Sequence, residues 1–256
     1  MGERTEYKPG TFCWVDLSTP DHTAAKSFYM SLFGWEADDR PVGEGAVYSI
    51  MTLGGGTVCA ISPQNENQQG MPPVWNSYVS VADVDSSAER ARELGAILHA
   101  PPFDVMDAGR MAVLQDPQGA FVMLWQPGGT FGAELVNAPG AWCWNELYSA
   151  DTDASTAFYG DLFGWSIEPF EGSAMPYLVV SNDGHGNGGV MELQEGMMPT
   201  WLVYFAVEDI DAALARVGEL GGGTTFGPTD IGVAKIAGVH DPQGGHFALY
   251  AGALEP

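Results

Sequence analysis

The chain states nearly the same pattern twice. Phe28-Tyr29 followed by Leu32-Phe33-Gly34-Trp35 returns 130 positions later as Phe158-Tyr159 followed by Leu162-Phe163-Gly164-Trp165. Asp116-Pro117-Gln118-Gly119 returns 125 positions later as Asp241-Pro242-Gln243-Gly244. A duplication of this length fixes the architecture as two similar units. What the copies share is then informative about folding, and where they differ about function.

At 256 residues the chain accommodates two domains of ~125 residues each, both large enough for a core. The expected layout is a tail over 1–9, a first domain over 10–127, a linker over 128–139 and a second domain over 140–256. Apolar residues make up 45% of the chain with eight tryptophans, which excludes a disordered chain, and no apolar run reaches the ~18 residues of a membrane span. The first six residues, Met1 to Glu6, do not form a charged-then-apolar leader, so the reading is a cytoplasmic protein. Cys13, Cys59 and Cys143 do not make a disulfide framework and read as small buried groups. A formal net charge of −24 with nine Lys and Arg residues repels phosphate backbones, so neither nucleic acid nor an anionic membrane is an expected partner.

Each copy opens with an alternating strand, Phe12 to Leu17 or Trp142 to Leu147, in which Cys13, Val15 and Leu17 face helices and Phe12, Trp14 and Asp16 face away. A helix beginning at Thr19-Pro20 or Ser149-Ala150 ends at Gly34 or Gly164 with a left-handed cap. Strands at Val47–Leu53 and Thr57–Ile61, or Tyr177–Ser181 and Gly189–Leu193, follow as hairpins across glycine-rich turns. The second half of each copy repeats the plan, with Asp85 or Asp211 capping a helix and the Asp-Pro-Gln-Gly turn closing the last hairpin. The fold class is α+β.

This succession, with its Leu-Phe-Gly-Trp helix end and closing Asp-Pro-Gln-Gly hairpin, resembles the glyoxalase, bleomycin-resistance and extradiol-dioxygenase superfamily, the vicinal oxygen chelate proteins. The tandem form is similar to two-domain, actinomycete-type glyoxalase-like proteins. The resemblance implies two tandem domains, each a pair of βαβββ modules forming curved mixed sheets with helices outside. In metal-dependent members it also implies four ligands, one each from the opening, third, mid-domain and closing strands. Those positions fall on Trp14, Ala60, Asn76 and Met123 in the first copy and on Trp144, Glu192, Leu202 and Ala248 in the second. Of these, Glu192 alone is a good divalent-cation ligand, and an indole offers only a donor. No metal and no other cofactor is therefore expected.

Alternation predicts what lines the cups instead. The first would carry Phe12, Trp14, Asp16, Asn76, Tyr78, Phe121, Met123 and Trp125, and the second Trp142, Trp144, Glu146, Leu202, Tyr204, His246, Ala248 and Tyr250. Aromatic walls with a few polar groups suit a flat organic ligand, although the same rings would equally serve as a filled core. Asp16, or Glu146 with His246 and Glu192, could transfer protons if desolvated. Arg110 and Lys235 occupy matching positions and could anchor a ligand anion, or simply form surface salt bridges. The expected function is a metal-independent protein of this superfamily that binds a small hydrophobic or aromatic metabolite or antibiotic, in resistance, sequestration or secondary metabolism. The alternative is a cofactor-independent enzyme using Asp16 or Glu146/His246. A metal-dependent lyase or dioxygenase is disfavoured. The chain would act as a monomer or homodimer.

Overall fold

The computed structural model describes residues 2–43, 46–171 and 175–254. In the first copy the order is β1 (Phe12–Thr19), α1 (His22–Phe33), β2 (Glu36–Pro41), β3 (Val47–Leu53), β4 (Gly56–Pro63), β5 (Val74–Ser80), α2 (Val84–Glu93), β6 (Ile97–Val105), β7 (Gly109–Gln115) and β8 (Phe121–Pro127). The second copy repeats it as β9 (Trp142–Ser149), α3 (Thr152–Phe163), β10 (Ser166–Pro169), β11 (Leu178–Asn182), β12 (His185–Glu192), β13 (Thr200–Ala206), α4 (Ile210–Glu219), β14 (Gly223–Asp230), β15 (Ala234–His240) and β16 (His246–Gly252). Each copy is a pair of βαβββ modules.

Among the described residues each copy forms one mixed eight-stranded sheet, ordered β2-β3-β4-β1-β5-β8-β7-β6 and β10-β11-β12-β9-β13-β16-β15-β14. The opening strands of the two modules, β1 with β5 and β9 with β13, pair antiparallel at the centre. Each also runs parallel to the last strand of its own module: β1 to β4, β5 to β8, β9 to β12 and β13 to β16. Helices α1 and α3 start slightly later than the hydroxyl signals suggested, and α2 and α4 start slightly earlier than the expected caps at Asp85 and Asp211, which lie inside their first turns. Asp21 and Asp151 are the N-caps of α1 and α3, and Asp83 and Asp209 those of α2 and α4, because a carboxylate reaches the amide of the third helical residue well. Gly34 and Gly164 are the left-handed C-caps, as expected. The predicted long turn over 182–188 is instead a tight one, and β12 begins already at His185.

The sheets meet back to back. Trp75 lies 4.9 Å from Phe205 and Phe12 4.9 Å from Trp201, ring centre to ring centre. Ser77 donates to Asn145 across the seam at 3.2 Å. The helices flank this seam and leave the opposite, cup faces free: Arg216 of α4 reaches the Ser31 carbonyl in α1, and Arg90 of α2 lies 4.0 Å from Asp161 of α3.

The two repeated motifs turn out to be partners across the copies. Tyr29 donates to Asp241 at 3.0 Å, and Tyr159 donates to Asp116 at 2.7 Å. Each tyrosine is held by an indole donor of its own copy, Trp75 at 3.0 Å or Trp201 at 2.9 Å. The other carboxylate oxygen of each aspartate collects amides of its own turn, Gln118, Gly119 and Ala120 or Gln243 and Gly245. Trp35 and Trp165, the last residues of the Leu-Phe-Gly-Trp motif, donate to the Gly140 and Gly10 carbonyls at 2.6 Å, again across the copies.

Removing one partner of such a buried bond leaves the other unsatisfied, which costs about 1–3 kcal/mol. Tyr29→Phe should therefore lower unfolding free energy by about that amount in urea. In double-mutant cycles it should couple to Asp241→Ala and not to Asp116→Ala; coupling to Asp116 would show that the crossed pairing is wrong.

Candidate functional site

Both cups are built round one carboxyl group at the same point of the opening strand. Asp16 and Glu146 are each 5% exposed. Asp16 pairs with Asn76 and with Ala60, and Glu146 with Leu202 and with Gly189, so the carboxyl sits over the middle of each sheet.

In the first cup Asp16 accepts from Asn76 Nδ2 at 2.8 Å, from Tyr78 at 2.8 Å and from Tyr48 at 3.0 Å, while Trp14 Nε1 donates to the Tyr48 hydroxyl at 2.9 Å. Burial pushes the Asp16 carboxyl up from the usual range, and those three donors hold it back in part. In the second cup Glu146 accepts from Tyr204 at 2.7 Å, and Trp144 Nε1 donates to Tyr177 at 2.9 Å. Burial raises the Glu146 carboxyl too, opposed by Tyr204, Tyr148 and Tyr177. A Cβ at Gly189 would collide with the Tyr177 hydroxyl, so the glycine there is what lets this phenol approach.

Trp14, Asn76, Tyr78, Met123 and Trp125 thus gather on the first cup face, and Trp144, Tyr204 and Tyr250 on the second, through the registers Trp14–Tyr78–Met123, Ser80–Trp125, Trp144–Tyr204–Ala248 and Ala206–Tyr250. Tyr48, Tyr148 and Tyr177 complete the cages and were missed. Tyr148 stands two residues beyond Glu146 on an alternating strand, and Tyr48 and Tyr177 stand near the start of the matching strands expected at Val47–Leu53 and Tyr177–Ser181, so parity and the repeat together carried a signal for all three.

Several expected positions are corrected. A register shift between Phe12 and Trp14 turns Phe12 to the seam, where its ring meets Trp165 and Trp201. Glu192 pairs with Ser149, whose hydroxyl bonds Ser155 of α3, so it lies on the helix side of the strand and is exposed. The strand position matching Ala60 is Gly189. The His246 ring is tilted against that of His240, with ring centres 5.9 Å apart, and burial and then His240 lower its pKa; it makes no hydrogen bond to Glu146. The grouping of Glu146, His246 and Glu192 therefore does not form. Arg110 is engaged by Asp85 and Asp104 at 2.8 and 2.9 Å outside the cup. Lys235 is exposed beside a shallow acidic hollow with Asp209, Asp211 and Asp230. Cys13 and Cys59 are buried, but Cys143 is partly exposed.

The positions that the superfamily resemblance gives to chelating side chains carry Trp14, Ala60, Asn76 and Met123 in one cup and, with Gly189 in the register of Ala60, Trp144, Gly189, Leu202 and Ala248 in the other. These side chains do not fit a divalent ion, which needs three or four N, O or S ligands. Among the described residues no cluster of three or more His, Cys, Asp or Glu side chains could hold one.

The model of the Glyoxalase/Bleomycin resistance protein/Dioxygenase superfamily matches residues 11–124 and again 144–249. The chain belongs to this superfamily. It is similar to the putative glyoxylase CFP32 of Mycobacterium bovis, 44% identical over 254 residues with 97% of each chain covered. It is also similar to the anthracycline biosynthesis protein DnrV of Streptomyces peucetius, 31% identical over 260 residues, covering 96% of this chain and 94% of that one. Among solved structures, the Mn(II)-bound glyoxalase of Novosphingobium aromaticivorans superposes with a TM-score of 0.68 at 17% identity, over 97% of this chain and 83% of that one. The 2,3-dioxygenase LapB of Pseudomonas sp. KL28 does so with a TM-score of 0.64 at 15% identity, over 100% and 95%. At such identities the likeness is one of fold. Among the described residues no helix is long and apolar enough to cross a membrane.

The raised Asp16 carboxyl makes a signed prediction. A carboxyl that binds its proton more tightly folded than unfolded contributes stability fully below the ordinary carboxylate range of about 4, and loses that contribution as pH rises through the raised value. The stability of the wild type relative to Asp16→Asn should accordingly fall as pH rises above about 4 in urea titrations. A difference that grows with pH would show a carboxylate stabilised by its donors more than burial penalises it.

Proposed function

We propose that the protein is a metal-independent member of its superfamily that binds a flat, hydrophobic aromatic metabolite in an aromatic cup. The observation that carries this is the paired arrangement of Trp14, Tyr48 and Asp16 and of Trp144, Tyr177 and Glu146. In each, an indole is fixed by a phenol and stands beside a buried acid, at the place where a metal-dependent relative would need chelating side chains. An oriented indole stacks on a ring system, and a caged carboxyl group supplies a single polar reference point beneath it. The similarity to a protein named for anthracycline biosynthesis supports a polycyclic aromatic ligand and a place in secondary metabolism. Sequestration or carriage of such a compound needs no more chemistry than this.

A second reading has its own support. Burial raises the Glu146 carboxyl, and a carboxyl so raised can hold or accept a proton nearer neutral pH. On that reading Glu146, oriented by Tyr204, transfers a proton to or from a bound phenol or ketone.

Titration with quinizarin, a neutral dihydroxyanthraquinone, tests both. Tryptophan fluorescence should be quenched to saturation with a Kd on the order of micromolar, equally before and after treatment with EDTA. The compound should be recovered unchanged after long incubation, as judged by mass spectrometry. Binding that requires an added divalent ion would overturn the metal-independent reading. Conversion abolished in Glu146→Gln would favour the enzyme.

A further inference from the structure

The two cups are alike in their walls but not at their ends. In the first copy β1 and β4 pair only from Asp16 and Ala60 onward, so their preceding residues diverge and leave a gap in the sheet. The segment after β8 fills it. Thr130 donates to the Ala108 carbonyl at 2.9 Å and accepts from Trp125 Nε1 at 3.1 Å. Ala133 then donates to the Cys13 carbonyl at 2.9 Å, and Glu134 to the Thr57 carbonyl at 2.9 Å, while the Glu134 carboxylate accepts from the Thr57 amide. Tyr7 donates to the Ala133 carbonyl at 2.8 Å and backs the segment. A Cβ at Gly132 would strike the Cys13 carbonyl, so the strap runs as close to β1 as a backbone can. Under it Cys13 is fully buried, and Trp14 and Trp125 are each 9% exposed.

The second copy has the same divergence, since β9 and β12 pair only from Glu146 and Gly189. Among the described residues nothing makes the bond to Cys143 that Ala133 makes to Cys13. Cys143, Trp144 and Tyr250 are partly exposed where Cys13, Trp14 and Trp125 are buried. A Cβ added to Gly186 would lie 3.5 Å from the Trp144 ring, so the indole rests against glycine backbone. Its orientation is set by the bond from Nε1 to Tyr177.

We infer that the aromatic ligand lies at this end of the second cup, against Trp144 and beside Cys143, Gly186 and Tyr250, in the space whose counterpart in the first cup is occupied by the chain's own strap. The inference rests on the aromatic-ligand reading above and assigns its site. The strap also indicates the chemistry wanted there. It presents an N–H to the Cys13 carbonyl, so a ligand hydroxyl is the matching donor for the Cys143 carbonyl. With Glu146 close by and a formal net charge of −24, a neutral hydroxylated polycycle should be preferred over an anionic one. The first cup, strapped shut, is then a structural element.

Hydrogen–deuterium exchange of the wild-type protein with and without saturating quinizarin tests this directly. One quinizarin should bind per chain, and protection should be confined to peptides covering 143–148, 185–189 and 248–252. Peptides covering 13–18 and 57–60 should be unchanged. Trp144→Leu should weaken binding about tenfold, as loss of a stacking partner does. Anthraquinone-2-sulfonate should bind more weakly than quinizarin. Protection of the 13–18 peptides, or two ligands per chain, would overturn the assignment and leave the aromatic-ligand reading standing. Absence of binding with no peptide protected would overturn both. Should Trp144→Leu fail to fold, the exchange pattern of the wild type decides alone.

Discussion

The crossed hydrogen bonds from Tyr29 to Asp241 and from Tyr159 to Asp116 are the constraint on which the rest depends. Each joins a helix of one opening module to the closing turn of the other copy. Both are buried, and each is continued by an indole donor on one side and a set of turn amides on the other. Because the bonds are fully enclosed, their geometry fixes where one sheet sits on the other to within hydrogen-bond tolerance. The back-to-back packing of Trp75 on Phe205 and Phe12 on Trp201 follows from that placement. So does the outward direction of both cups, since the faces that meet at the seam are the ones opposite Trp14 and Trp144.

The carboxyl groups in the cups show how uncharged donors can hold a buried polar centre in this fold. Where a chelating set would surround a cation, Asp16 is surrounded by an amide and two phenols, and Glu146 by phenols. Each donor satisfies a lone pair that burial would otherwise leave exposed to low dielectric. These are uncharged donors, so they lessen the penalty of burying a carboxylate without cancelling it, which is why both acids remain shifted upward. A neutral or protonatable centre walled by aromatic rings is a different chemical environment from a metal site, although the backbone beneath it is the same.

Much of this was legible in the sequence. The duplicated Phe-Tyr and Leu-Phe-Gly-Trp pattern, the alternation of the opening strands and the closing turns gave the element order, the fold class and the central residues Trp14, Asp16, Tyr78, Trp144, Glu146 and Tyr204, because strand parity is a local property. What failed was non-local. One bulge at Cys13 sent Phe12 to the other face. The register of β12 on β9 sets Gly189, not Glu192, beside Glu146. Parity placed His246 on the right strand but could not show that its neighbour would be His240. The sharing of Tyr29 and Asp241 between copies was invisible for the same reason: each motif makes sense inside its own copy, and nothing in the order of residues says that its partner lies in the other.

The strap over 130–134 gains a different meaning beside the crossed bonds. A connector in a tandem protein is ordinarily a tether, and its length is what matters. Here the tyrosine–aspartate pairs already hold the halves in place, so the connector is relieved of that duty and its sequence is open to selection as cargo, a resident guest made of peptide. On the ligand assignment proposed above, duplication thereby yields two receptacles and a ready means of retiring one of them, so that a chain with twofold repetition presents a single asymmetric face to its surroundings.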